Sequence, residues 1–98
     1  RIKDEAPTYY GDEADVEDCL IADGCRIDGT VENSILFRGV TVAKGAVVRN
    51  SIVMQSSYIG EGAKVESVIT DKSVVVKSGR TLCGAPTFPV YIGKGIVI

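Results

Sequence analysis

The chain repeats itself with a period of 17 residues, and a short fixed period limits a sequence to stacked or arrayed architectures before any other property is weighed. Placed one beneath another, Ser34–Asn50, Ser51–Ser67 and Val68–Gly84 read SILFRGVTVAKGAVVRN, SIVMQSSYIGEGAKVES and VITDKSVVVKSGRTLCG. Cys19–Asn33, CLIADGCRIDGTVEN, is the same row two residues short. A fifth, partial row, VYIGKGIVI at Val90–Ile98, matches SYIGEGAKV at Ser57–Val65 and VVVKSGRTL at Val74–Leu82.

Reading down the rows separates inside from outside. Ile27, Val42, Ile59, Val76 and Ile92 form one aliphatic column, and Cys25, Val40, Ser57, Val74 and Val90 stand two residues before it. Val31, Val48, Val65, Leu82 and Ile98 form a second. Ile21, Leu36, Val53 and Thr70 form a third, preceded by Cys19, Ser34, Ser51 and Val68. Side chains alternate along a strand, so each row carries three short segments, roughly six residues apart, whose positions i and i−2 face inward. This pattern predicts an all-β fold, a triangular parallel β-helix of the hexapeptide-repeat type with about four to five coils, because no single row can bury its own apolar pairs.

Gly24, Gly39, Gly45, Gly60, Gly62 and Gly79 fall at the corners, and so do the Gly60–Gly62 and Gly93–Gly95 triplets, which lack the strand-turn-helix setting of a phosphate loop. Asp18, Asn33, Asn50 and Ser67 share one corner column and read as turn residues bonding their own backbone. Residues 1–15 read as an entering linker laid along the prism, with the β-helix domain spanning 16–98 and Val16 opening the first face. Cys83–Pro89, with Pro86 and Pro89, reads as an excursion that replaces one face.

Composition narrows the function. With 98 residues the chain is one small domain, and 11 basic against 13 acidic residues give a net charge of −2, which offers no field for nucleic acid. There is no histidine, so histidine-dependent catalysis and histidine metal sites fall away. Apolar residues make up 45%, yet no run approaches the roughly 18 needed for a membrane span, and the domain reads as soluble. Cys19, Cys25 and Cys83 are odd in number, without a CxxC pair, and read as free thiols of a reducing cytosol. The start at Arg1, with neither Met nor a signal peptide, reads as a cut from a longer chain.

The wording of the rows is more specific than their period. The opening DEAPTYY, the run LIADGCRIDGTVENSILFRGVTVAKGAVVRNSIVMQ, the segment VITDKSVVV and the ending FPVYIGKGIVI resemble the carboxy-terminal β-helix domain of bacterial glucose-1-phosphate adenylyltransferase (ADP-glucose pyrophosphorylase) over nearly the whole chain. The two ends are more similar to the regulatory-type glycogen-biosynthesis subunit than to the catalytic one. The resemblance implies a left-handed coil, an exception to the usual crossover rule. It also implies an amino-terminal nucleotide-binding domain that joins ATP to glucose 1-phosphate with magnesium. That domain's glycine-rich loop and acidic ligands have no counterpart here, so neither catalytic residues nor a cofactor are expected in these 98 residues. A tetramer of identical subunits, or one paired with a catalytic sister subunit, follows from the same resemblance, as does a cytoplasmic location.

Two outward groups are candidate sites. Leu20, Ile35, Ile52 and Ile69 form a solvent-side column flanked by Phe37 and Met54, and a strip of this size marks an interface with the catalytic domain or another subunit. The alternative is a register one residue off, which would place the six in the core. At one corner Asp23, Arg38, Gln55 and Lys72 align, with Arg38 and Lys72 about 10 Å apart by coil spacing, within reach of one multiply charged phosphate. The resemblance places an effector-binding basic residue at the Asp71–Lys72 stretch; the alternative is a solvated corner charge. Three other functions compete. They are a stand-alone hexapeptide acyltransferase, a histidine-metal carbonic anhydrase on the same scaffold, and the β-helix tail of another sugar-nucleotide pyrophosphorylase. The absence of histidine opposes the first two, and the NSILFRG and NSIVMQ wording disfavours the third.

Overall fold

The computed structural model describes residues 7–98. Three parallel five-stranded sheets form the sides of a left-handed triangular β-helix. The first face stacks Tyr9–Tyr10, Arg26–Ile27, Thr41–Val42, Tyr58–Ile59 and Val75–Val76. Asp15–Glu17, Thr30–Glu32, Val47–Arg49, Lys64–Glu66 and Thr81–Cys83 stack as the second. The third holds Leu20–Ile21, Ile35–Leu36, Ile52–Val53, Val68–Thr70 and Val90–Ile92.

The inward columns are those read from the sequence through the fourth row. Ile27, Val42, Ile59 and Val76 are fully buried, as are Val31, Val48, Leu36 and Val53. Each such side chain contributes about 1.5–3 kcal/mol relative to exposure. Small residues beside them serve the backbone. Ser34 Oγ donates to the Glu32 carbonyl at 2.7 Å and accepts from the Ser51 amide at 3.1 Å; Ser51 repeats both bonds, to Arg49 and from Val68. Cys19, Cys25 and Cys83 are free thiols, and burial pushes the Cys25 thiol pKa up.

One row breaks this economy. Thr70 occupies an aliphatic position at 0% exposure, and its Oγ1 has no hydrogen-bond partner. A buried hydroxyl without a partner costs about 1–3 kcal/mol. Thr70→Val is therefore expected to stabilise the chain by about 1 kcal/mol and raise the melting temperature by roughly 5 °C, checked by a circular-dichroism melt; an unchanged or lower value would count against the buried, unpaired hydroxyl.

The corners explain the periods. The turn from second to third face is one residue in the left-handed region, Asp18, Asn33, Asn50 and Ser67 with φ between 49° and 56°. Asn and Asp tolerate that conformation best. Asn33 Nδ2 donates to Asn50 Oδ1 of the next coil at 2.7 Å, so these side chains bond along the stack and not to their own backbone as the sequence suggested, and Ser67 Oγ has no partner. The two-residue deficit of the second coil falls between Ile27 and Thr30, where Asp28 and Gly29 make a tight corner. Gly29 is required there: an added Cβ would lie 2.4 Å from the Ala46 carbonyl oxygen and 2.8 Å from that of Ala43.

The structure corrects the ends of the sequence reading. Val90–Ile92 does not continue the first face beside Val74–Val76; it pairs with Val68–Thr70 on the third, placing Ile92 above Thr70. Val97 bridges Val75, and Ile98 bonds the backbone of Val75 and Lys77, so Ile98 belongs to the first face and not to the column of Val31. The Cys83–Pro89 segment replaces no face. Cys83 stays in the second face, and Gly84–Pro89 is inserted at the one-residue corner after it, so the repeat resumes five positions late. The aliphatic-x-x-glycine wording recurs on more than one face, so a local match could not tell which face Val90–Ile98 rejoins. At the other end Tyr9–Tyr10 already pairs with Arg26–Ile27, so paired strands begin inside the segment read as a linker and before Val16. Residues 1–6 of that segment lie outside the described residues.

Candidate functional site

The three outer surfaces differ in chemistry. On the second face Glu17, Glu32, Arg49 and Glu66 are in register, and Arg49 Nε meets Glu32 Oε1 at 3.0 Å, an ordinary solvated charged side. The first face mixes Tyr9, Arg26, Thr41 and Tyr58, with the Arg26 guanidinium 4.7 Å from the Tyr9 ring centroid.

The third face is apolar. Leu20, Ile35, Ile52 and Ile69 stand in direct register, each pointing away from the core while Ile21, Leu36, Val53 and Thr70 point in. Leu20 is 69% exposed, Ile35 is exposed at 37%, and Ile52 and Ile69 are half-buried by their neighbours in the column. The one-residue slip is thereby excluded: all six residues singled out on this strip, Phe37 and Met54 included, lie outside the core cluster. Sequence reasoning missed a fifth member. Tyr91 is paired above Ile69 and 61% exposed, and the misplaced fifth row had hidden it.

The Gly84–Pro89 excursion borders this face. Mutual backbone bonds between Ala85 and Phe88 close a turn over Pro86 and Thr87, and Phe88 is 82% exposed. Pro86 and Pro89 wall a groove of about 420 Å³ over Ile35, Ile52 and the Asn33–Asn50 corner.

The basic corner also gains a member. Gly39 donates to the Asp23 carbonyl, Ser56 to Arg38, Ser73 to Gln55 and Gly95 to Lys72, so Asp23, Arg38, Gln55 and Lys72 align as read and Lys94 continues the column. Lys72 and Lys94 are one coil apart, about 4.8 Å between backbones, and Arg38 lies two coils below Lys72. A shallow depression of about 290 Å³, lined by Gly24, Arg38, Gly39, Gln55 and Ser56, opens beside Arg38. Lys94 escaped the sequence reading because Gly93–Gly95 had been aligned with the corner of Gly60–Gly62.

Asp71 lies between the apolar face and this corner. Its Oδ2 accepts from the Tyr91 hydroxyl at 2.7 Å and its Oδ1 from the Lys72 amide at 2.7 Å. These bonds, the first above all, with Lys72 and Lys94 nearby, hold its carboxyl below the usual carboxylate range, and the same bond raises the Tyr91 pKa. Among the described residues no group of three or more His, Cys, Asp or Glu side chains is placed to hold a metal ion. Nor is any helix long and apolar enough to cross a membrane.

This architecture defines a left-handed β-helix of the hexapeptide class. The chain belongs to the family described as GlmU-like, C-terminal hexapeptide, whose profile matches residues 6–86. It is homologous to the glycogen biosynthesis protein GlgD of Bacillus subtilis, with 53% identity over 97 residues, 99% of this chain and 28% of that protein. The glucose-1-phosphate adenylyltransferase of Bacillus thuringiensis is 41% identical over 78 residues, 80% of this chain and 21% of that one. The chain thus spans under a third of either relative. Among solved structures, the acetyltransferase domain of PglB from Neisseria gonorrhoeae superimposes with a TM-score of 0.60 at 20% identity, covering 95% of this chain and 54% of that one; the likeness shows the fold alone.

Proposed function

We propose that this chain is the oligomerisation and allosteric-regulatory domain of a glycogen-biosynthesis protein of the glucose-1-phosphate adenylyltransferase group. One observation carries the reading: a five-residue apolar column on the third face, the only side so composed among the described residues, adjoins a corner bearing Arg38, Lys72 and Lys94. The homology to GlgD and to the adenylyltransferases supports it.

In this reading the apolar face mates with the protein's own amino-terminal nucleotidyltransferase domain or with identical or catalytic subunits of a cytoplasmic tetramer. The corner receives a phosphorylated small-molecule effector, because a multiply charged phosphate is matched by cations on successive coils. Magnesium and the joining of ATP to glucose 1-phosphate belong to the amino-terminal domain. The β-helix acts by fixing subunit geometry and passing effector binding to that distant site.

The test is Lys72→Ala in the full-length complex. The expected result is an effector requirement raised about tenfold with assembly intact, as lost charge-assisted phosphate bonds imply. An unchanged effector response would dispose of the corner as the effector site.

A further inference from the structure

Ala22, Phe37, Met54 and Asp71 occupy equivalent positions on successive coils, each donating its amide to the carbonyl one coil above, on Leu36, Val53, Thr70 and Ile92. Asp71 thus puts a carboxylate where the two coils beneath carry apolar side chains, at the rim of the apolar face and beside two lysines. A carboxylate beside two lysines would ordinarily pair with an ammonium group and cancel the charge of the corner. Instead both of its oxygens are taken by uncharged donors, the Tyr91 hydroxyl and the Lys72 amide. Among the described residues neither Lys72 nor Lys94 makes an ion pair within 4.0 Å of it.

We infer that Tyr91 is a positioning residue for anion binding: its hydroxyl keeps the Asp71 carboxylate out of ion-pair range of Lys72 and Lys94, leaving both ammonium groups available to a phosphate-type anion. This rests on the reading of the corner as an anion site. The depressed Asp71 and elevated Tyr91 pKa values have the bond between them as their largest cause, which supports the pairing. In the chain Tyr91 is exposed and Asp71 half-buried at the rim of the corner, so the effect is modest, about threefold in anion affinity, the scale of surface charge pairs.

The experiment is calorimetric titration of the full-length protein with inorganic phosphate, using the wild type, Tyr91→Phe, Asp71→Asn and the double variant. Tyr91→Phe keeps the ring in the apolar column and is expected to weaken phosphate binding about threefold, because the released carboxylate turns to the lysines. Asp71→Asn is expected to tighten binding by threefold or more, and the double variant to match Asp71→Asn, since the hydroxyl matters only while Asp71 is charged. Spectrophotometric titration is expected to show Tyr91 ionising at lower pH in Asp71→Asn. Phosphate affinity that falls with Lys72→Ala but does not respond to Tyr91→Phe or Asp71→Asn would overturn this inference and leave the anion corner standing. No binding by the wild type, or none lost in Lys72→Ala, would overturn the corner and the inference together.

Discussion

Replacing Ile52 with lysine is expected to separate the assembled full-length protein while leaving the β-helix folded. Ile52 sits at the middle of the apolar column, between Ile35 and Ile69, and its side chain points away from the core. The neighbouring Val53, at 0% exposure, fills the interior and is untouched. The isolated chain should therefore melt within about 4 °C of the wild type, the usual range for a surface change. In the assembly the ammonium group would be buried without a partner, which costs at least about 3 kcal/mol and weakens association a hundredfold or more. Sedimentation velocity across a dilution series measures the second effect and a thermal melt the first. Outright unfolding, or assembly at wild-type strength, would contradict the outward, partner-facing role of this column.

Gly29→Ala is expected to destabilise the chain strongly for the addition of a single methyl group. The new Cβ meets two backbone carbonyl oxygens of the next coil, at 2.4 Å and 2.8 Å, and backbone has no rotamer by which to yield. Overpacking against main chain at a tight corner costs about 3 kcal/mol, or on the order of 15 °C in melting temperature for a domain of this size. Gly62→Ala provides the comparison. Its Cβ would meet nothing within 4 Å, and the φ of 70° imposes only the left-handed penalty of about 1–2 kcal/mol. Denaturant unfolding of the two variants ranks the effects, and a smaller loss for Gly29→Ala would refute the close-approach account of the short row.

Gly29 also shows how far the sequence could be read. The deficit of two residues was visible in the Cys19–Asn33 row, but that the missing residues are corner residues, and that glycine permits the shortcut, depends on the distance to Ala43 and Ala46 in the next coil. The core was legible because small and aliphatic residues recur at strand spacing on every row, and a buried face tolerates no slip of register. Ile92, Ile98, Tyr91 and Lys94 were misplaced or missed for one reason. The Gly84–Pro89 insertion moves the last coil by five positions, and the hexapeptide wording does not say which face it rejoins. The same wording carried the family resemblance correctly, since corner and strand residues keep their order whatever the register of the last coil. The Tyr91–Asp71 bond, joining side chains 20 positions apart, has no sequence signal at all.

If the β-helix assembles as proposed, the third face, and not the first, is covered in the working protein. Tyr91 on the third face and Tyr9 and Tyr58 on the first are all well exposed in the chain, at 61%, 52% and 42%. Being one residue type, they have equal intrinsic reactivity toward hydroxyl radicals. Radical footprinting of the full-length assembly, quantified by mass spectrometry against the isolated domain, compares them directly. The expected result is strong protection of Tyr91 with Tyr9 and Tyr58 labelled nearly as fast as in the domain; equal labelling of all three, or protection confined to Tyr9 and Tyr58, would contradict the account.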